Sequence, residues 1–299
     1  MDAINVVKCV KDARAIIKTF KKEGRTLGFV PTMGYFHDGH INLMKRSLAE
    51  CDETFVSIFV NPIQFGPNED FSRYPRDLDR DCSMAFKAGV KYIFFPDAAE
   101  MYPERFQTRV TAGDLSRNFC GASRPGHFDG VCTVVSKLFN IIMPDRAYFG
   151  MKDYQQLAVI KKMAEDLNFD IEIIGCETTR EPDGLAMSSR NAYLSPENRL
   201  IAPIFNEAFR GIKLEIEKKI KSNAVIDSGN LIAACEEKLL KSGFNRIDYI
   251  KIADADTLVE LKDQESFSAA KKIFIAGAVI LGKTRLIDNI VFGKDDDAK

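Results

Sequence analysis

The alternation of short apolar runs with helical segments over the first 178 residues most constrains the fold of this 299-residue chain. The apolar runs are rich in β-branched and aromatic residues, as buried strands are. Between them, apolar residues recur at the spacing of one helix face. The alternation predicts an α/β fold, a doubly wound, Rossmann-like parallel sheet with helices on both faces. The predicted strands are residues 26–30, 54–60, 90–95, 147–149 and 171–174. One predicted helix begins near residue 39, and three others cover residues 77–88, 131–143 and 153–167.

The pattern changes after residue 178. Two helical stretches, at about residues 196–221 and 226–241, are followed by strand-like runs at 246–253, 272–280 and 285–292. Helices followed by consecutive strands are typical of a smaller α+β domain. We therefore expect a Rossmann-like domain over residues 1–178 and an α+β domain over 179–299. The charged tail at 294–299 is expected to fray.

All three histidines fall in two short glycine-rich motifs. His37 and His40 end the segment P-T-M-G-Y-F-H-D-G-H, and His127 ends R-P-G-H. The first motif follows the strand at 26–30 and precedes apolar residues at helical spacing, so a helix should begin at Asp38 or Gly39. The two imidazoles are three residues apart in its first turn.

The start of this predicted helix is suited to binding an anion. Free backbone N–H groups and the positive end of the helix dipole point the same way. Imidazole titrates near neutral pH and, as a cation, can hold a phosphate. The sequence therefore predicts a phosphate-binding turn beside His37 and His40. The alternative interpretation is that short polar loops collect histidine by chance.

Three further polar loops follow predicted strands or precede predicted helices. They are N-P-I-Q-F with Asn61 and Gln64, F-G-M-K-D-Y-Q-Q with Lys152, and M-S-S-R-N with Arg190. A neutral amide can orient a hydroxyl or carboxylate, and Lys and Arg bind phosphates. Singly, each has another interpretation: Gln64 as a turn cap, Lys152 as a solvated helix residue, and Ser-Ser-Arg as an N-cap before the helix at Pro196. Four such loops together favour a site for a polyphosphate and a polar substrate.

Composition excludes several function classes. The formal net charge of −1 gives no basic surface for nucleic acid. The seven cysteines include no C-x-x-C pair and follow no secretory signal, which indicates a cytoplasmic setting without a disulfide framework or dedicated metal site. No apolar run is long enough to span a bilayer, so no membrane association is expected.

The motifs together resemble a known family. The pair H-x-G-H after a first strand, with a later M-S-S-R, resembles the signatures of the class I aminoacyl-tRNA synthetase and nucleotidyltransferase superfamily. Over nearly its full length the chain resembles the pantoate–β-alanine ligase family, the pantothenate synthetases. The matching stretches are P-T-M-G-x-x-H-D-G-H, V-S-I-F-V-N-P-I-Q-F, Y-P-R-D-L-D-R-D, G-A-S-R-P-G-H-F-D-G-V, F-G-M-K-D-Y-Q-Q-L, D-G-L-A-M-S-S-R-N-x-Y-L and T-R-L-I-D-N.

The resemblance implies a two-step, ATP-dependent ligation. ATP adenylylates the carboxylate of (R)-pantoate with release of pyrophosphate, and the amine of β-alanine then attacks the pantoyl-adenylate, giving pantothenate and AMP. It also implies a homodimer. Mg²⁺ is expected to accompany ATP, without a metal site of the protein's own.

The resemblance also implies roles for particular residues. His40 corresponds to the catalytic proton donor of the family, with His37 and Lys152 as further catalytic groups. Pantoate would be bound by Gln64, which is also near β-alanine, and Gln156, with Asn61 and His127 around the same cleft. Met151 stands where many relatives have Glu, so only a backbone contact to ATP would survive there. The implied ATP-binding residues are Met33, Gly34, Tyr35, Phe36, His37, Asp38, Gly39, His40, Gly150, Met151, Lys152, Asp153, Thr179, Met187, Ser188, Ser189 and Arg190.

Three other functions fit part of the sequence. An adenylyltransferase acting on a phosphate ester would share the H-x-G-H turn but leaves the loops at Asn61 and at 150–156 unexplained. An aminoacyl-tRNA synthetase would need an anticodon-binding region and a basic surface, and neither is visible. A non-catalytic nucleotide sensor is disfavoured because His37, His40, Lys152 and Arg190 are all present, although fold and motif alone never prove activity.

Overall fold

The structure is a computed structural model that describes residues 4–67, 69–262, 266–267 and 272–293. Its N-terminal part contains a six-stranded sheet in the order β1-β4-β3-β2-β5-β6, and every strand pair is parallel. All of β3 is buried, as expected for a central strand covered on both faces. The strands are β1 (Asn5–Val7), β2 (Leu27–Thr32), β3 (Glu53–Ile58), β4 (Tyr92–Phe94), β5 (Arg146–Gly150) and β6 (Glu172–Cys176).

The helices of this half confirm the predicted alternation. They are α1 (Val10–Lys22), α2 (Asp38–Glu50), α3 (Leu78–Ala88), α4 (Ala98–Met101), α5 (Cys120–Ser123), α6 (His127–Ile142) and α7 (Tyr154–Asp166). The sequence prediction left β1 and α1 unassigned, although Ala13, Ile17 and Phe20 form the buried face of α1 at helical spacing. Helix α6 begins at His127 rather than near residue 131, because Gly126 adopts a left-handed conformation and ends the preceding loop.

The strand order determines where ligand-binding loops gather. From β2 the chain continues through β3 and β4 on one side, and it returns to β5 on the other side of β2. Ligands of open parallel sheets bind outside the carboxyl ends of the strands at this kind of reversal. The segments that leave β2, β3 and β5 at that edge are residues 33–37, 59–64 and 150–153, which contain three of the predicted site loops.

Among its described residues, the C-terminal part contains three α-helices of at least 6 residues and a three-stranded antiparallel sheet in the order β7-β8-β9. The helices are α8 (Pro196–Ile201), α9 (Ile204–Lys221) and α10 (Ser228–Lys241), and the strands are β7 (Arg246–Asp254), β8 (Lys272–Leu281) and β9 (Thr284–Gly293). Phe205 and Phe209 of α9 lie in the core with Ile275 of β8. At Gly277 an added Cβ would lie 2.8 Å from the ring of Phe209, so glycine allows this helix to pack closely on the sheet.

One predicted helix is two helices in the structure. The stretch predicted as residues 196–221 is interrupted between Ile201 and Ile204, where Pro203 is the N-cap of α9. Proline has no backbone N–H to continue the hydrogen bonding of α8, and its fixed φ suits the start of a new helix.

The described residues separate into two compact units. One comprises the described residues within 1–116, 124–151 and 156–179, and the other those within 117–123, 152–155 and 180–299. The second unit therefore includes two short segments from the N-terminal half, one of which carries Lys152 and Asp153. The two domains expected from the sequence, 1–178 and 179–299, stay a prediction. The charged tail at 294–299 lies outside the described residues.

Candidate active site

The loop between β2 and α2 wraps around a buried carboxylate. Asp81 of α3 is 1% exposed and accepts backbone hydrogen bonds from Tyr35 at 2.6 Å and from Phe36 at 2.7 Å. Gly34 has a φ of +83°, and a Cβ there would lie 2.9 Å from Asp81 Oδ2 and from Ile58 Cγ2. Asp81 therefore fixes the path of the loop that carries the predicted phosphate-binding residues.

Burial raises the pKa of Asp81, while the two backbone donors act in the opposite direction. The sequence analysis assigned Asp81 no role. Its signal was a carboxylate four residues before the buried Ala85, on the face of α3 that an apolar residue would normally occupy.

His37 and His40 join the loop to the first turn of α2. The Nδ1 of His37 accepts a hydrogen bond from the backbone N–H of Gly39 at 3.2 Å, and the Nδ1 of His40 accepts one from the backbone N–H of His37 at 3.3 Å. This reciprocal arrangement caps the helix and brings the two ring centroids to 4.1 Å. With both Nδ1 atoms accepting, each ring carries its proton on Nε2.

Gly39 is required by the same turn. A Cβ at this position would lie 2.8 Å from Cε1 of His37, so the imidazole of His37 occupies the space a side chain would need. Further along α2, the amide of Asn42 donates to the hydroxyl of Thr179 at 3.0 Å. Thr179 follows β6, so this bond places one more predicted nucleotide-binding residue beside α2.

A second polar cluster follows β3. Asn61 is 1% exposed and Gln64 is 9% exposed. The Nδ2 of Asn61 donates to Oε1 of Gln64 at 3.0 Å and to the backbone carbonyl of Gly130 at 3.1 Å, while its Oδ1 accepts from the hydroxyl of Tyr102 at 2.7 Å. The Nε2 of Gln64 contacts Sδ of Met33 at 3.3 Å. The structure thus brings together Asn61, Gln64 and Met33, which belong to two predicted loops.

His127 lies beside the same cluster. Its Nδ1 is 2.9 Å from the carbonyl oxygen of Gln64, and its Nε2 is 3.0 Å from a guanidinium nitrogen of Arg124. Because Arg124 can only donate, Nε2 must accept and Nδ1 must donate to Gln64. Arg124 also pairs with Glu69 through two hydrogen bonds. Burial acts to raise the pKa of Glu69, but this pairing holds it below its usual value.

The loop after β5 carries Lys152 and is held by a contact with β9. Residues 151–153 form a 3₁₀ turn, in which the ammonium of Lys152 lies 3.8 Å from the carboxylate of Asp153. The amide of Asn289 on β9 donates to the backbone carbonyl of Lys152 at 2.7 Å. Asn289 belongs to the T-R-L-I-D-N stretch, which carried no role in the sequence analysis and here positions the lysine-bearing turn.

Gln155 and Gln156 occupy the first turn of α7. Gln155 is buried and bonds to the backbone, donating to the carbonyl of Asn118 at 2.7 Å and accepting from the N–H of Cys120 at 3.0 Å. Gln156, the predicted pantoate ligand, is partly exposed. Gln155 thus has contacts to the backbone, and the role of Gln156 in binding pantoate stays a prediction.

The Met187–Arg190 loop forms its own anchored turn. Ser188 is the N-cap of a 3₁₀ helix (Ser189–Tyr193), and its hydroxyl accepts from the backbone N–H of Arg190 at 3.3 Å. The N-cap of the helix that begins at Pro196 is Ser195, so the alternative interpretation of Ser-Ser-Arg as the cap of that helix is wrong. The phosphate contact of the Arg190 side chain stays a prediction. The hairpin before this turn is secured by Arg180, which binds the buried Asp288 through bonds of 2.8 and 2.9 Å.

Two searches of the described residues bear on metals and membranes. Over 4–67, 69–262, 266–267 and 272–293, no three His, Cys, Asp or Glu side chains are grouped to hold a metal ion. Within the same ranges, no helix combines the length and apolar character needed to cross a membrane. The seven cysteines, all of them described, are free thiols.

The chain is similar to proteins of a known family. The family model described as pantoate-beta-alanine ligase matches residues 5–291. A pantothenate synthetase of Caldicellulosiruptor bescii is 54% identical over 286 residues, covering 96% of this chain and 98% of that relative. One from Clostridium botulinum strain Kyoto is 50% identical over 289 residues, covering 97% of this chain and 99% of that relative.

Solved structures show the same fold. A pantothenate synthetase of Thermus thermophilus superposes with a TM-score of 0.85 at 44% identity, covering 95% of this chain and 98% of that one. A pantoate-beta-alanine ligase from Francisella tularensis, solved with beta-gamma ATP and beta-alanine, gives a TM-score of 0.79 at 34% identity, covering 97% of this chain and 98% of that one.

Proposed function

This chain belongs to the pantoate–beta-alanine ligase family and is an ATP-dependent ligase of pantoate and β-alanine, and we propose that it works through a pantoyl-adenylate. In the first step, a carboxylate oxygen of (R)-pantoate bonds to the α-phosphorus of ATP, and the bond from that phosphorus to the α,β-bridging oxygen breaks. Pyrophosphate leaves with the electron pair. In the second step, the amine of β-alanine bonds to the acyl carbon and loses a proton, and the bond to AMP breaks.

The geometry of residues 37–40 is the observation that carries this proposal. Two imidazoles, each with its Nε2–H as donor, lie 4.1 Å apart at the N-terminus of α2. Adenylylation builds negative charge on the phosphoryl oxygens and the leaving pyrophosphate, so fixed N–H donors and nearby cations lower the barrier. We assign His40 as the proton donor to this charge and His37 as its neighbouring donor.

The polyphosphate would be bound by residues that follow β2, β5 and β6 and by the Ser-Ser-Arg turn. Lys152 supplies a point charge, and Arg190 supplies a planar, bidentate donor. Asn289 and Ser188 hold the backbone of these two residues in place. The proposed ATP-binding set is residues 33–40, 150–153, 179 and 187–190.

The acid substrate would be bound by neutral amides. Gln64 and Gln156 can hydrogen-bond the hydroxyls and carboxylate of pantoate without introducing cations that would compete for the phosphates of ATP. Asn61 and His127 support Gln64 through its side chain and its backbone carbonyl. This arrangement separates recognition of the acid from recognition of the nucleotide.

Three further features belong to the proposal. Mg²⁺ would be bound by the phosphates of ATP, since the residues described in the structure offer no three-ligand group for it. The enzyme would act as a homodimer, as the family resemblance implies. Free thiols at all seven cysteines suit the cytoplasm.

Pyrophosphate exchange tests the adenylate route. Labelled pyrophosphate should enter ATP when pantoate is present and β-alanine is withheld, because the first step is complete before the amine is needed. Omitting pantoate is the control and should abolish exchange. Full turnover with β-alanine but no exchange without it would reject the intermediate.

A further inference from the structure

The amide of Asn61 has only one orientation that satisfies its surroundings. Its Oδ1 accepts from the hydroxyl of Tyr102 at 2.7 Å, and its Nδ2 donates to the carbonyl of Gly130 at 3.1 Å. Exchanging the oxygen and nitrogen would put two carbonyl oxygens together at Gly130. At 1% exposure, Asn61 is shielded from bulk solvent, so such a mismatch would be costly.

The orientation of Asn61 determines that of Gln64. The Nδ2 of Asn61 also donates to Oε1 of Gln64 at 3.0 Å, so this oxygen is occupied and Nε2 is directed to other partners. The Nε2 of Gln64 contacts Sδ of Met33 at 3.3 Å, and a thioether is a weak acceptor that a substrate oxygen can replace. Gln64 therefore directs its Nε2 donors toward a bound acid, while its Oε1 is held by Asn61.

The hydroxyl of Tyr102 is held in place to donate the first hydrogen bond of the series that runs through Asn61 to Gln64. Its ring packs against Phe59 and Phe106, with centroids 6.0 and 4.9 Å away, which holds the hydroxyl in place. Burial raises the pKa of the Tyr102 phenol, so the hydroxyl keeps its proton and donates it.

We propose that Tyr102 is a positioning residue that acts through Asn61 to make Gln64 present N–H donors to the acid substrate. The proposal rests on the proposed role of Gln64 in binding pantoate. It implies that this part of the site favours an oxygen acceptor of the substrate, such as a carboxylate or hydroxyl.

Tyr102→Phe tests the proposal, because the ring and its packing remain while the hydroxyl is lost. The KM for pantoate should rise about tenfold, the effect of one buried hydrogen bond, while the KM for ATP changes less than about twofold. Both constants are measured in complete pantothenate formation, and thermal unfolding of each variant is recorded. Tyr92→Phe is the matched control, since Tyr92 packs against Phe55 in the same unit, and it should leave both constants unchanged.

A double-mutant cycle separates positioning from a general structural effect. In a Gln64→Ala background, Tyr102→Phe should change the KM for pantoate less than about twofold, because the residue through which it acts is gone. Equal effects in both backgrounds, or equal increases in the KM values of pantoate and ATP, would overturn the proposal. Failure of the adenylate route would show instead as absent pyrophosphate exchange in the wild-type enzyme, which these KM measurements do not depend on.

Gln64→Glu tests the polarity of the amide. A glutamate can still accept from Asn61, but it places an anionic oxygen where Gln64 has its donors. It should therefore raise the KM for pantoate more than Gln64→Ala does. The reverse order would mean that Gln64 acts as an acceptor, and it would overturn the proposal.

Discussion

His37 and His40 hold each other in place: the backbone N–H of His37 donates to Nδ1 of His40 at 3.3 Å, and their rings lie 4.1 Å apart. The Nδ1 of His37 accepts in turn from Gly39. Both imidazoles are thereby used to build the helix start through Nδ1, and the proposed chemistry uses Nε2. Structure and proposed catalysis thus use opposite nitrogens of the same rings.

His40→Ala should lower the rate of adenylylation by about 10²–10³, the loss typical of one transition-state donor. The fold should persist, because His40 is partly exposed and its capping bond is one of several at this helix start. The rate is measured by pantoate-dependent pyrophosphate exchange. Lys45→Ala, at an exposed position on the same helix, is the control. A His40 variant with near wild-type exchange would assign this residue to structure alone.

Asp81→Asn should weaken ATP use, because an amide offers one oxygen to the two backbone N–H groups of Tyr35 and Phe36. The KM for ATP is expected to rise about tenfold. Asp79→Asn is the control, since Asp79 is exposed on the same helix. An unchanged KM for ATP would show that the loop keeps its shape without the carboxylate.

The contribution of Asp81 to the stability of the wild-type protein should also depend on pH. Burial raises the pKa of Asp81 in the folded protein, so its contribution to stability is fully present below the pKa of the unfolded chain and is lost as the pH rises through the folded-state pKa. The free energy of unfolding of wild type relative to Asp81→Asn should therefore decrease from acid to neutral pH. Urea unfolding of both proteins at several pH values measures this difference, and a constant difference would contradict it.

Gly130→Ala should impair both stability and pantoate binding. A Cβ at this position would lie 2.4 Å from the carbonyl oxygen of Ile63 and 2.6 Å from Cα of Gln64, so the turn that carries Gln64 must move away from α6. We expect a loss of about 1–3 kcal/mol in the free energy of unfolding and a higher KM for pantoate. Gly211→Ala is the matched control in α9, where a Cβ meets nothing within 4 Å; it should gain up to about 1 kcal/mol.

Arg190→Lys keeps the charge but loses the planar pair of donors, so it should impair ATP use more than pantoate binding. The KM for ATP is expected to rise on the order of tenfold, as for loss of one charge-assisted hydrogen bond. Arg199→Lys is the control, because Arg199 forms an ion pair with Asp183 that lysine can replace. A rise in the pantoate KM alone would place the Ser-Ser-Arg turn at the acid instead.

Gln156→Ala and Gln155→Ala should have different effects although the residues are adjacent. Loss of the Gln156 amide should cost about 1–3 kcal/mol in kcat/KM for pantoate, with little change in ATP affinity measured without pantoate. Gln155 bonds to backbone groups at Asn118 and Cys120, so its loss should lower the melting temperature without selectivity for pantoate. Kinetics and thermal unfolding of both variants distinguish the two roles, and a stability loss confined to Gln156→Ala would reverse them.

The sequence predicts the elements that local pattern determines. Apolar runs predict β2 and β3, and the start of α2 at Asp38 is also predicted correctly, whereas its capping by His37 and His40 was not predicted. The start of α6 and the break at Pro203 were harder to predict from the sequence, because each depends on the conformation of one residue within a longer helical pattern.

The supporting residues of the candidate site could not be predicted in the same way. Asp81, Tyr102 and Asn289 act through contacts with residues 41 to 137 positions away in the chain. Nothing in their local sequence specifies those partners, since tertiary packing alone brings them together. Periodicity shows only that Asp81 lies on a buried helix face, which is a reason to ask what the carboxylate binds.

The contact between Met33 and Gln64 links the binding of ATP to the binding of pantoate. Met33 belongs to the proposed nucleotide loop and Gln64 to the proposed acid pocket, yet Sδ and Nε2 lie 3.3 Å apart. When pantoate replaces Sδ of Met33 as the partner of Gln64, the surroundings of the nucleotide loop change. When ATP occupies that loop, the free energy of replacing the Met33 contact changes in turn. Thermodynamic reciprocity then requires that pantoate alter the affinity for ATP by the same factor as ATP alters the affinity for pantoate.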